Sequence, residues 1–242
     1  MRILGLDSSG LVAGVAIVED DRLLAEYTTD YKKTHSQTLL PMLDEIRKMV
    51  ELDLNSVDAI AIASGPGSYT GLRIGSATAK GLGFALNKPL VEVPTLEGLA
   101  WNLWGTEKLV CPIMDARRNQ VYTGVYAFEA VGEGYELRTL LDGGARDIHT
   151  VIDWLNENGR DVIFLGDGVP VYGQTIRTEL SVGYQFAPAG NNRQRAASVA
   201  ALGSLYFAQG KTVSAAEHAP EYMRKSQAER EQEAKQAGGD TP

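Results

Sequence analysis

The chain has 242 residues, 44% of them hydrophobic and 22% charged. That is the length and balance of one or two globular domains able to bury a core without disulfides or metals. With 23 Lys and Arg against 31 Asp and Glu, a net charge of −8, it lacks the basic surface of a protein that wraps nucleic acid unaided. One cysteine, Cys111, excludes a disulfide framework and a cysteine zinc site. The opening MRILGLDSSG has neither a signal-peptide core nor an apolar span, so a cytoplasmic protein without membrane contact is expected.

Residues 2–6 predict a buried strand ending at Asp7, with Ser8-Ser9-Gly10 as the turn. Strands over 12–18 and 22–28 complete a meander. A helix follows, capped by Thr34 or Ser36, with Leu39, Leu40, Leu43, Ile46, Met49 and Val50 at helical spacing and Pro41 in its first turns. Residues 58–63 are a short strand that runs into GPGSYTG and a helix to about Leu86. A strand over 90–93 and a helix from Pro94 to Trp104 close the first hundred residues as β-β-β-α-β-α-β-α.

The second half begins again. Strands are expected over 109–114, 121–128, 135–141 and 161–165, with helices over 147–158, 171–180 and 193–209. Asp7 precedes Gly14-Val15 as Asp115 precedes Gly124-Val125, and 58–65 matches 161–168 in layout, at offsets of 108 and 103. Two such pairs in the same order point to a duplication. Two β-β-β-α-β-α lobes facing a cleft describe the α/β fold of actin, Hsp70 and the sugar kinases. The expected lobes are 1–105 and 106–225, the second including the last helix. The tail 226–242 has no large apolar residue and is expected to be disordered or a frayed helix.

GPGSYTGLRIG is the most informative stretch. A strand-to-helix glycine turn can cradle an anion. No Gly-Lys-Ser/Thr follows, and Gly65-x-Gly67-x-x-x-Gly71 is one residue too long for the dinucleotide fingerprint. A tight turn without ligand is the equal alternative. The helix after it carries Gly71, Gly75, Ala79 and Gly83 on one face. Glycines there cost about 1 kcal/mol each against alanine, so another backbone must approach closely, from inside the chain or from a partner. Cys111 ends an apolar strand and reads as a buried hydrophobe rather than a nucleophile. His35, His149 and His218 form no ligand motif, and no serine-nucleophile elbow or zinc-protease helix is present. Asp7, Asp115 and Asp167 either hold a metal or phosphate at the cleft floor or cap their own turns.

LGLDSS, His35-Ser36 before Leu39-Leu40-Pro41, GPGSYTGLRIG, VPTLEGLA and the run PEYMR over 220–224 occur in one order from residue 1 to about 225. This set resembles the TsaB (YeaZ) family. The usual threonine is Ser8 here and the usual phenylalanine is Tyr69. The resemblance implies an actin-like fold and a non-catalytic subunit in making threonylcarbamoyladenosine on tRNA. Its partners would be the transferase TsaD and the ATPase TsaE, with a homodimer when alone and tRNA reached only through the complex. No cofactor is implied. TsaD-like sequences carry a His-x-x-x-His metal pair where this chain has Thr95 and Leu99. The expected partner interface comprises His35, Leu39, Leu40, Leu43, Ile46, Gly71, Arg73, Ile74, Gly75, Ala79 and Gly83. Should a nucleotide or anion bind, Asp7, Ser8, Ser9 and Gly10 are the candidates. An ATP-dependent phosphotransferase of the sugar-kinase type is the alternative function, weakened by the lack of an adenosine-binding Gly-Gly turn, since Gly143-Gly144 precedes the wrong helix.

Overall fold

The structure, a computed structural model, describes residues 1–31, 35–117 and 119–221. The tail over 226–242, the expected cap Thr34 and the end of the PEYMR run therefore lie outside the described residues. The first half runs β1 (Arg2–Asp7), β2 (Ala13–Glu19), β3 (Arg22–Thr29), α1 (Leu39–Met49), β4 (Ala59–Gly65), α2 (Tyr69–Leu86), β5 (Leu90–Pro94) and α3 (Thr95–Trp101). The second runs β6 (Leu109–Asp115), β7 (Gln120–Val131), β8 (Gly134–Asp147), α4 (Ile148–Asn158), β9 (Val162–Leu165), α5 (Val169–Glu179), β10 (Tyr184–Phe186) and α6 (Ala196–Ala208). Both halves read β-β-β-α-β-α-β-α.

The sheets repeat this identity in space. The first is ordered β3-β2-β1-β4-β5 and the second β8-β7-β6-β9-β10, read from the matching edge. In each, the meander is antiparallel and the later strands join parallel, as with Ile3 beside Ala59 and Leu109 beside Val162. This is the duplicated actin-like, Hsp70-like and sugar-kinase architecture. The parallel positions explain the composition of β4, AIAIASG. It lies between two strands with helices on both faces, so every residue is buried.

Four apolar clusters hold the layers together. On one face of the first sheet, Leu4, Leu6, Ile60 and Ile62 meet Leu39, Leu43 and Ile46 of α1 and Ala79 of α2. On its other face, Ile3, Ala61, Val91 and Val93 meet Val199, Ala200 and Leu202 of α6. In the second sheet, Cys111, Ile113 and Val125 meet α4 and α5. Its opposite face, with Val110, Met114 and Phe128, receives Leu96, Leu99 and Ala100 of α3. Each half thus lends its last helix to the other half's sheet.

Polar contacts fix this exchange. Glu26 of β3 accepts from the Ala197 N–H in the first turn of α6 at 3.1 Å and pairs with Arg195. The Asn102 amide after α3 donates to the carbonyls of Asn191 and Arg193 and accepts from Ser198 Oγ at 2.6 Å. Beyond α6 the chain doubles back along the first sheet. Val213 bridges Leu90, His218 Nδ1 lies 2.6 Å from Glu92, and the Glu221 N–H donates to Ser64 O.

Several elements differ from expectation, among them β8, which runs on to Asp147 instead of ending near Leu141. Helix α1 begins at Leu39 after a 3-10 turn at His35–Gln37, and its N-cap position is Thr38, without a side-chain cap bond, rather than Thr34 or Ser36. Helix α3 ends at Trp101. Strand β10, three residues long, is additional to the expected elements and completes the repeat.

Candidate functional site

Two turns interlock at the carboxyl ends of β1 and β4. Asp7 Oδ1 accepts from the Ser9 N–H at 2.8 Å and from Ser9 Oγ at 2.7 Å, closing the turn on itself. Ser9 O then accepts from the Ser68 N–H at 2.6 Å, and Ser8 Oγ donates to Gly71 O at 2.8 Å. Ser68 is the N-cap of α2, its hydroxyl accepting from the Gly71 N–H. A Cβ on Gly67 or Gly71 would come within 3 Å of the Ser9 or Ser8 carbonyl oxygen, and one on Gly75 would meet Ser8 Oγ as closely. The glycines are required because backbone lies against backbone. The Ser8 and Ser9 hydroxyls and the Ser68 amide, the groups an anion would recruit, are engaged within the chain.

Asp7 is 2% exposed, and burial pushes its carboxyl up to about 6 although the two Ser9 bonds favour the charged form. Around the same turn, His35 Nε2 lies 2.9 Å from Gly10 O. The Gln194 amide lies against Gly10, buried, with neither its nitrogen nor its oxygen hydrogen-bonded to a described residue. Gln194 escapes a reading of the sequence because it sits in a polar connection far along the chain.

The small-residue stripe is internal. Gly71, Gly75, Ala79 and Gly83 are all buried against the Ser8–Ser9 turn, the first sheet and Ala215. Leu39, Leu43 and Ile46 are likewise core, as the inward face of α1. These seven residues have no surface to offer a partner, which corrects their place in the expected interface. His35 and Ile74 are half-buried, while Leu40 at 54% exposure and Arg73 face outward.

The outward face of α2 is a different row. Tyr69, Arg73, Ala77, Gly81 and Ala85 follow at four-residue spacing and are exposed, with Phe84 beside them at 64%. The Arg73 guanidinium lies over the Tyr69 ring, 5.5 Å from its centre. Nothing stands within 4 Å of where a Gly81 Cβ would be. Beyond Phe84, an open cavity of about 540 Å³ is lined by Asn87, Lys88 and the returning segment from Thr212 to Glu217. Spacing alone picks out this row once the buried face is known.

The remaining candidates separate. Cys111 is fully buried with its thiol pushed up to about 12 by desolvation, which makes it inert as a nucleophile. His149 pairs with Glu179 at 2.6 Å on the surface, and His218 with Glu92 beneath the returning segment. Asp167 Oδ1 accepts from the Asp115 N–H at 3.2 Å, so the turns after β6 and β9 are tied together in the second half. Among the described residues no group of three or more His, Cys, Asp or Glu is placed to hold a metal, and no helix is long and apolar enough to cross a membrane.

Comparison with known proteins places this geometry. A family model described as TsaD, tRNA N6-adenosine threonylcarbamoyltransferase, matches residues 22–232. The tRNA threonylcarbamoyladenosine biosynthesis protein TsaB of Bacillus subtilis is 34% identical over 95% of this chain and 96% of its own length. TsaB of Escherichia coli is 30% identical over 93% of this chain and 95% of its own. A solved structure of YeaZ from Pseudomonas aeruginosa aligns over 91% of this chain and 99% of that one, with a TM-score of 0.74 and 26% identity. Matches that run nearly end to end at 30% identity and above establish that the chain belongs to the TsaB family, within the wider group that the TsaD model describes.

Proposed function

We propose that this chain acts in threonylcarbamoyladenosine biosynthesis as a non-catalytic subunit that docks onto TsaD through α1 and α2. The TsaB-named relatives support the process. One observation carries the role: α1 and α2 turn Leu40, Tyr69, Arg73 and Phe84 outward, while the polar groups of the turns behind them are engaged inside the chain. Exposed apolar and aromatic groups beside a stacked arginine are the composition of protein interfaces. In the absence of TsaD the same face would pair two copies as a homodimer. TsaE joins the assembled complex, and tRNA is reached through the partners, in keeping with the net charge of −8.

The metal pair of TsaD-like chains does not fit these residues. Thr95 and Leu99 stand at the two positions, both buried, and a leucine cannot ligate a metal. The phosphotransferase reading weakens for a related reason, since the hydroxyls it would aim at phosphates are engaged elsewhere, Ser8 Oγ on Gly71 O of α2 and Ser9 Oγ on Asp7.

The test is affinity for the TsaD of the same genome. Wild-type chain should bind it and restore its modification activity, and Arg73→Glu combined with Phe84→Ala should weaken binding by about a hundred-fold with an unchanged fold. Undiminished binding by that double variant, or turnover of substrate by the purified chain alone, would remove the proposal.

A further inference from the structure

Asp7 is expensive to bury. A carboxylate removed from water costs several kcal/mol unless hydrogen bonds and charges compensate. Of the titratable groups, the one acting on it favourably is His35, from the 3-10 turn before α1. Gln194, the polar side chain packed on the same turn from the other half, is uncharged. Such a group in a turn that performs no chemistry has another use, and the hydrogen bonds indicate which.

Both Ser9 donors close on Asp7 Oδ1. Ser9 O receives the Ser68 N–H, and Ser68 caps α2. Ser8, in the same turn, donates to Gly71 O in the first turn of that helix. The next outward residues on α2 are Tyr69 and Arg73. We infer that Asp7 is a positioning residue for the docking face: by holding the Ser8–Ser9 turn in shape it sets the entry angle of α2 and therefore the placement of Tyr69 and Arg73. This rests on the docking reading above and adds a group that touches no partner. The raised carboxyl supplies a signature. On protonation the carboxyl becomes a poorer acceptor, so the grip on Ser9 loosens as pH falls through about 6.

The experiment uses the full chain and the TsaD of the same genome. Asp7→Ala should weaken TsaD binding by about ten-fold and speed hydrogen exchange at the amides of Ser68 and Leu72, while the protein still melts cooperatively. Asp7→Asn keeps an acceptor for Ser9. It should restore affinity to within about three-fold of wild type and abolish the part of the pH dependence of binding that wild type shows between about pH 5 and 7. Wild-type affinity in Asp7→Ala, or an affinity loss without faster exchange at Ser68 and Leu72, overturns the inference. Should Asp7→Ala fail to fold, Ser9→Ala, which removes one of the two bonds, carries the test. A loss of about three-fold supports the inference and unchanged affinity overturns it. Loss of binding in Arg73→Glu with full binding in Asp7→Ala removes this inference alone. Full binding in both removes the docking reading and the inference with it.

Discussion

In the first half the turn after β1 is buried and made of small residues: Asp7 is 2% exposed, both Ser9 donors fold onto it, and Gly67 and Gly71 press on the serine carbonyls. In the second half the turn after β6 is open. Asp115 is exposed, its Oδ1 accepts from the Arg117 N–H at 2.8 Å, and Arg117 and Asn119 both take left-handed backbone at φ 61 and 60. There the glycine turn, Gly166 to Gly168, crowds a single carbonyl, that of Ile113. The helix each turn launches differs as well, 18 residues for α2 against 11 for α5. One topology, used twice, has been given to two tasks. The half that fixes a long outward-facing helix has its turn packed shut, and the half that does not has left charged groups at the surface.

The sharpest way to break this contrast is to add one methyl group to each turn. Gly71→Ala, facing the Ser8 carbonyl, should destabilise by about 3 kcal/mol or more, and Gly168→Ala by about 1–2 kcal/mol. Equal melting-temperature losses would mean that both turns are equally locked. The second comparison is of buried carboxyls. Asp7 and Asp167 both have raised values from desolvation, Asp7 the more buried of the two. A folded state that holds a proton the unfolded chain releases loses stability as pH rises from the ordinary carboxylate range through the raised value. Asp7→Asn should therefore flatten the stability profile between about pH 4 and 6, removing up to roughly 3 kcal/mol of slope, with Asp167→Asn doing the same to a smaller extent. Denaturant melts across that range decide it.

The next effect concerns the two helices. Gly81→Ala places a methyl in open space and should stabilise by about 1 kcal/mol. Gly173→Ala, whose Cβ would meet the Arg177 guanidinium at 3.3 Å, should gain less than about half of that. Because Gly81 lies on the outward row, the same change should weaken TsaD binding while raising the melting temperature, a dissociation that a purely structural row would not give. The smallest effect belongs to the exposed His149–Glu179 pair, where the carboxylate raises the histidine. Its contribution is present below the ordinary histidine range and fades as pH rises through the raised value. His149→Ala should sit at the edge of detection by thermal melting at pH 6.

Much of this was legible in the residues themselves. Runs such as RILGLD and AIAIASG declare buried strands, and the aspartates and glycines that end them mark the duplication. The spacing of Leu39, Leu43 and Ile46 identifies the inward face of α1, but spacing cannot say whether that face meets its own sheet or another chain; in the structure it meets its own sheet. The Gly71–Gly83 stripe has the same ambiguity: small residues announce a close approach, not what approaches. Strand β10 escaped because three residues show no alternation. That α6 covers the first sheet depends on contacts between residues nearly two hundred apart, as Ile3 with Val199 in one cluster, which no local pattern encodes.

That crossing of helices has a bearing on how such a molecule can be divided. Cut between Trp104 and Leu109, the amino-terminal piece would keep α1 and α2 yet show the bare apolar side of its sheet to water, with the Leu96, Leu99 and Ala100 face of α3 uncovered. The carboxy-terminal piece would suffer the mirror-image loss. Neither fragment is a self-sufficient unit, so the pair should melt as one body despite its two sheets, and mixing the separately produced fragments should rebuild the whole.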